Sequence, residues 1–234
     1  MSRGDILGLI FSYVYAFALL FIVEAIGKKF HISQNVTRKI IHIGAGLWVW
    51  PILFLFDHWY FGIIPFATFI ALNYIFYKKH SFEQMDASQS TLGTVYFAFS
   101  ITLLFAAFWR TDSLIDRAPI AIAATMAMTL GDAFAALLGQ RFGRHYFHIF
   151  GNTKSSVGSS AMFVFSFLGI FLSLVFLSGS VWSPASAVLS LQTAVTFSLL
   201  TALVATVAEA VSPVGTDNLS VPLLSGLVLF LLIS

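Results

Sequence analysis

Cysteine is absent from the 234 residues, and only 9% of them are charged. The first absence excludes disulfides, thiolate catalysis and Cys-bound zinc or iron–sulfur centres. The second sets the chain apart from soluble domains, which carry about 25% charged residues. The ten acidic and twelve basic residues leave a net charge of +2. That is no basic stripe of the kind nucleic acid requires, so no nucleic-acid partner is expected. Internal repeats and low-complexity tracts are also missing. What is abundant is hydrophobic: 59% of the residues, 26 of them Phe, with a mean hydropathy of +0.91. This is membrane-protein composition in a single expected domain, 1–234. No Ala-x-Ala signal follows the first apolar run, which therefore reads as a retained helix and not as a signal peptide.

A spanning helix needs about 20 mostly apolar residues. Candidate spans fall at about 6–26, 40–56, 59–77, 92–109, 118–139, 157–178, 187–209 and 219–233. The expected fold is an all-α polytopic bundle of eight spans, or seven if the second and third form a re-entrant pair. With the N-terminus outside, the inner loops hold Lys28, Lys29, Arg38, Lys39, Lys78, Lys79, Arg141, Arg144 and Lys154, and the outer side holds Arg3, Arg110 and Arg117. Nine against three predicts cytoplasmic loops at 27–39, 78–91, 140–156 and 210–218, and an outer C-terminus.

Ionisable groups inside spans are costly and mark functional positions. Asp132 lies well inside the fifth span; the plain alternative is a carboxylate paired with a nearby base. Gly131, Ala135 and Gly139 recur every four residues beside it, a spacing that lets another helix approach closely. Glu209 ends the seventh span, and Pro213 must stop that helix. Asp217 or Asn218 either caps the last helix or joins Glu209 in handling a cation or phosphate. Arg38 and His42 share a helix face at the start of the second span, with Lys39 beside them. His42 reads as a satisfied core histidine or as a catalytic group. The 140–156 loop sets Arg141, Arg144, His145, His148 and Lys154 among Phe142, Tyr146, Phe147 and Phe150. It is either an interfacial loop or one that closes over a nucleotide. No Walker A sequence is present. Glu24 and Lys28 read as a structural pair. Asp112, Asp116 and Arg117 read as solvated charge on the outer side. Glu83 and Asp86 lie in an inner loop, where Asp86 is within reach of a site.

These segments together resemble the CTP-dependent polyprenol kinase family, which includes dolichol and phytol kinases. The matching pieces run in family order: Arg38-Lys39-Ile40-Ile41-His42; Leu92-Gly93-Thr94-Val95-Tyr96-Phe97; Gly131-Asp132-Ala133-Phe134-Ala135 with Gly139, Arg141 and Gly143; Lys154-Ser155 with Gly158-Ser159; and Glu209 with Asp217-Asn218 and Pro222. They cover about residues 35–230, and the Gly-Thr-Val-Tyr-Phe piece looks most like the phytol kinase branch. One departure stands out. The family often carries a glutamate between the Lys-Ser and Gly-Ser pairs, where this chain has Val157. The longer signature of CDP-diacylglycerol synthases, with paired aspartates, is not found.

The resemblance implies phosphoryl transfer from CTP, drawn from the cytosol, to a long-chain isoprenoid alcohol in the lipid bilayer. Such chemistry needs charge neutralisation and positioning. Asp132, Asp217 and Glu209 are the expected ligands of Mg²⁺ or another divalent cation. Lys39, Gly131, Arg141, Arg144, Lys154, Ser155, Gly158 and Asn218 are expected at the nucleotide. Asp132, His42, Arg38 and Lys154 are the expected catalytic set, with Asp132 or His42 accepting the alcohol proton. The alternatives are a CDP-lipid-forming cytidylyltransferase and a cation- or proton-coupled transporter.

Overall fold

A computed structural model describes residues 1–79, 92–111, 113–149 and 152–234. Glu83, Asp86, Asp112, Phe150 and Gly151 lie outside the described residues. The helices are α1 (Arg3–Lys29), α2 (Gln34–Leu47), α3 (Val49–Leu55), α4 (Trp59–Lys79), α5 (Gly93–Phe108), α6 (Ala118–Phe142), α7 (Ser156–Leu177), α8 (Leu191–Val211) and α9 (Asp217–Ile233). Between α6 and α7 stands an antiparallel hairpin, β1 (Tyr146–Ile149) and β2 (Asn152–Ser155), with Tyr146 opposite Ser155 and Phe147 opposite Lys154. Six rods are long and apolar enough to cross a membrane, counting α2 and α3 as one, and α5 and α9 are shorter apolar helices. The all-α bundle is as expected. Among the described residues the hairpin is an element that hydropathy did not announce.

Helix breaks follow from proline. Pro51 has no N–H for the Leu47 carbonyl, so the second rod bends at Trp48 between α2 and α3. Pro222, within α9, likewise leaves the Asn218 carbonyl without its helical donor. That carbonyl accepts instead from Ser100 Oγ of α5 at 2.7 Å. At α8 the helix stops at Val211, two residues before Pro213, as expected.

The centre of the bundle is α6, packed on α7, α9, α2, α5 and α8. Its composition explains the position. Small residues allow close crossing: a Cβ on Gly131 would lie 2.1 Å from Ser166 Oγ, and one on Gly46 of α2 would lie 2.1 Å from Thr129 Oγ1. Ser166 Oγ also donates to the Ala127 carbonyl at 2.9 Å. The peripheral helix α1 turns Val14, Phe21 and Ile22 outward.

At the end where α1 begins, polar groups tie the loops. Asp5 accepts from the His58 backbone N–H at 3.1 Å and sits 2.8 Å from His58 Nδ1. Asp116 is not solvated, as its loop position suggested. It is buried, accepts from the backbone N–H of Arg110 (2.9 Å) and Ala118 (3.2 Å), and takes the Ser183 hydroxyl. A carboxylate there satisfies chain ends that the apolar surroundings would otherwise leave unpaired. Arg117 lies 5.2 Å over the Phe230 ring. Glu24 and Lys28 form the expected i,i+4 pair at 3.1 Å.

Candidate active site

At the opposite end of the bundle, α2 and α6 bring two signature pieces together. Lys39 donates to Asp132. His42 Nε2 lies 3.7 Å from Asp132 Oδ2 and 3.4 Å from the Met128 carbonyl, with its ring 4.3 Å from that of Phe97. Asp132 is therefore paired, and His42 has partners on α6. The plain reading of both, as groups with partners, is what the geometry shows, and both also line open space.

A second pair lies on the other side of Asp132. Lys154, at the end of β2, donates to Glu209 of α8. Glu209 is buried. The hairpin holds Lys154 in place, for Ser156 N–H donates to the His145 carbonyl at 3.1 Å and closes the strand onto α7. Ser155 caps α7 by accepting from Gly158 N–H at 3.1 Å. Gly158 in turn crosses α6 so closely that a Cβ would lie 3.1 Å from the Ala135 carbonyl.

Two cavities meet at Asp132. One, of about 160 Å³, is largely apolar and lies among α1, α2, α4 and α5, with Arg38, Lys39, His42, Asp132 and Asn218 at its mouth. The other, of about 250 Å³, is much the more polar of the two and is walled by Asp132, Gly139, Lys154, Ser155, Gly158 and Glu209. It opens at the N-terminus of α7, where the helix dipole favours an anion. Ser159 Oγ, in its wall, has no hydrogen-bond partner among the described residues.

Other expected positions fall differently. Asp217 lies within electrostatic reach of Asp132, Lys39 and Lys154. It does not cap α9, whose N-cap is Thr216. Its Oδ1 accepts from the N–H (2.9 Å) and Nδ2 (3.1 Å) of Asn218. Gly131 packs against α7 and, like the exposed Arg141 and Arg144, is absent from the described walls of both cavities. Asp132, Asp217 and Glu209 do not converge as a ready ligand set: among the described residues no three His, Asp or Glu side chains do. Sequence reading passed over Asn73, which lines the apolar cavity and donates to the Thr94 carbonyl at 3.1 Å. An amide inside an apolar helix was the available signal. It also passed over Gln140 and Thr153 of the polar cavity, where nothing in composition marks them.

An apolar chamber and a more polar one meet at one acid–base cluster, an arrangement able to take two ligands of unlike polarity. The chain is 35% identical over 215 residues to the phytol kinase of Synechocystis, an alignment covering 92% of this chain and 86% of that protein. It is 32% identical over 235 residues to a probable chloroplastic phytol kinase of Triticum aestivum (93% and 74% covered). It is 27% identical over 238 residues to the chloroplastic farnesol kinase of Arabidopsis thaliana (94% and 72%). No family model matches the sequence, and no solved structure matches the fold. The chain belongs to the family of phytol and related polyprenol kinases.

Proposed function

We propose that this protein is a kinase for long-chain isoprenoid alcohols, phytol among them, with CTP as phosphoryl donor. The observation that carries the reading is the place of Asp132, in the wall shared by the apolar and polar cavities. The alcohol lies with its tail in the apolar cavity and its hydroxyl at Asp132. The triphosphate lies in the polar cavity against Lys154 and the start of α7, where Ser159 forms part of the wall. Arg38 and Lys39 add positive charge at the junction. Arg141 and Arg144, exposed at the same end, extend that field toward the incoming nucleotide.

Transfer requires in-line placement more than covalent chemistry. The alcohol oxygen bonds to the γ-phosphorus, the bond from that phosphorus to the bridging oxygen breaks, and the nucleoside diphosphate leaves. The hydroxyl proton passes to the Asp132–His42 pair. Asp132, Asp217 and Glu209 are not gathered as a three-carboxylate cage, so a hard divalent cation would take one or two of them and complete its shell with water and phosphate oxygens. Mg²⁺ or another divalent ion held there would supply charge neutralisation at the phosphates. CTP as the donor rests on the family resemblance of the five signature pieces. The excess of basic residues at this end supports placing the site on the cytosolic side.

The test uses purified protein in detergent with Mg²⁺, labelled CTP, ATP, GTP or UTP, and phytol, geranylgeraniol, farnesol, dolichol or diacylglycerol as acceptor. A prenyl monophosphate with nucleoside diphosphate is expected, most efficiently from CTP. Pyrophosphate with a CDP-lipid would make the protein a cytidylyltransferase. No turnover with any pair would favour a transporter in which Asp132 is an ion site.

A further inference from the structure

The apolar cavity has a built end. Along α2 it runs from Arg38 to Trp48, and along α5 from Gly93 to Ile101. At the helical rise per residue these distances are roughly 15 Å and roughly 12 Å. With C–C bonds of about 1.5 Å, an extended chain of about a dozen carbons spans the same length. At the end far from Asp132 stands Trp48, at the bend that Pro51 imposes between α2 and α3.

Trp48 is fixed on two sides. Its ring stacks on Tyr15 with centroids 4.2 Å apart and planes 14° apart, and its Nε1 donates to Ser12 Oγ at 3.1 Å. Tyr15 is itself anchored, its hydroxyl donating to the Gly44 carbonyl at 2.8 Å. In a floor of two stacked rings the Trp48 Nε1 and the Tyr15 hydroxyl already have partners, so neither is left as an unmet donor beside an apolar tail. The floor also resists displacement more than a lone aliphatic side chain would.

We propose that Trp48, held by Tyr15 and Ser12, is the stop that sets the length of isoprenoid chain this site accepts. The inference rests on the kinase reading for the identity of the occupant, but its geometry is independent of turnover. A main chain of about a dozen carbons fills the cavity from the hydroxyl at Asp132 to the Trp48 ring, and longer chains must fold or leave part of the tail outside. Ala45, nearly one helical turn short of Trp48 on the same wall, is where added bulk would shorten the cavity.

Two measurements test this. A farnesol analogue with a diazirine at its tail end is photolysed on the full protein, and the labelled peptides are identified. Label at Trp48 or within residues 12–16, removed by unlabelled farnesol, is expected. Label spread over outward faces of α7 and α8, or indifferent to competitor, overturns the proposal. Acceptor profiles are then compared within single variants, so that a general folding loss cancels. Trp48→Ala should raise kcat/KM for geranylgeraniol relative to farnesol by about tenfold or more. Ala45→Leu should shift preference the other way, toward geraniol. Ratios that stay at the wild-type value in both variants overturn the length stop while leaving the kinase intact. Competed label at Trp48 without phosphorylation of any prenol would uphold the cavity assignment and refute the kinase reading.

Discussion

Helices α1 and α6 are of similar length, 27 and 25 residues, yet they do opposite things. In its most apolar 18-residue stretch α6 has 78% of its residues buried, and α1 has 17%. The more hydropathic helix is the exposed one. When the surroundings are as apolar as the side chains, hydrophobicity gives no reason to go inside. Side-chain size decides. The run Ala-Ile-Ala-Ala-Thr-Met-Ala-Met-Thr-Leu-Gly of α6 lets neighbours approach on every side, whereas the Phe, Leu and Ile of α1 hold them off. The closely packed helix is also the one that carries Asp132, because a carboxylate in an apolar layer needs fixed partners around it.

The largest expected effect strikes the buried end of that comparison. Asp132→Asn keeps the shape and removes the charge that both cavities share. Phosphorylation should fall by about a thousandfold or more, combining lost general-base and electrostatic contributions, with expression and elution profile unchanged. Activity within tenfold of wild type would remove Asp132 from the chemistry. A smaller and more selective effect is expected beside it. Lys154→Met should raise the KM for the nucleotide about tenfold or more and leave the KM for the alcohol unchanged, because Lys154 lines only the polar cavity. The variant should also lose stability, since buried Glu209 is left unpaired. A rise in the alcohol KM alone would reverse the assignment of the two cavities.

Packing on α6 should respond more mildly than chemistry. In Gly131→Ala the new methyl displaces Ser166 Oγ from the Ala127 carbonyl. Overpacking of this kind costs about 1–3 kcal/mol, read as a lower midpoint of thermal unfolding in detergent. An unchanged midpoint would mean that α7 shifts freely along α6, and the size argument for its central place would fail.

How much of this was legible follows from the same physics. Long apolar runs announce the helices and Pro213 announces the end of α8, so the span ends read from sequence lie within a few residues of α4–α9, whereas the span read as unbroken over 40–56 is interrupted at Trp48. The start of α2 is further off. Polar Gln34-Asn35-Val36-Thr37 reads as loop, but it forms the first turn and carries Lys39 toward Asp132. The pairing of Lys39 with Asp132 was readable only as a need, since hydropathy tells that a buried carboxylate wants a base and not which one. The hairpin was hidden because its eight residues mix aromatic, basic and small side chains without period. The cavities were hidden too: Trp48, Tyr15 and Asn73 are ordinary residues until the bend at Pro51 and the crossing of α1, α2 and α4 set them around one space.

The smallest expected effect belongs to α1, and it is the one that checks the comparison itself. Val14 is 61% exposed and lines neither cavity. If its face meets only lipid tails, Val14→Ala exchanges one apolar contact for another. Stability should then stay within about 0.5 kcal/mol of wild type, and kcat/KM for phytol should not move. The same truncation would cost about 1 kcal/mol or more if the face were covered by protein, because a cavity would be left behind. Thermal unfolding of Val14→Ala in detergent and in lipid nanodiscs separates the two. A loss seen in both would mean that α1 is packed against a second polypeptide, and its exposure in the single chain would no longer be evidence that size alone sorts these helices.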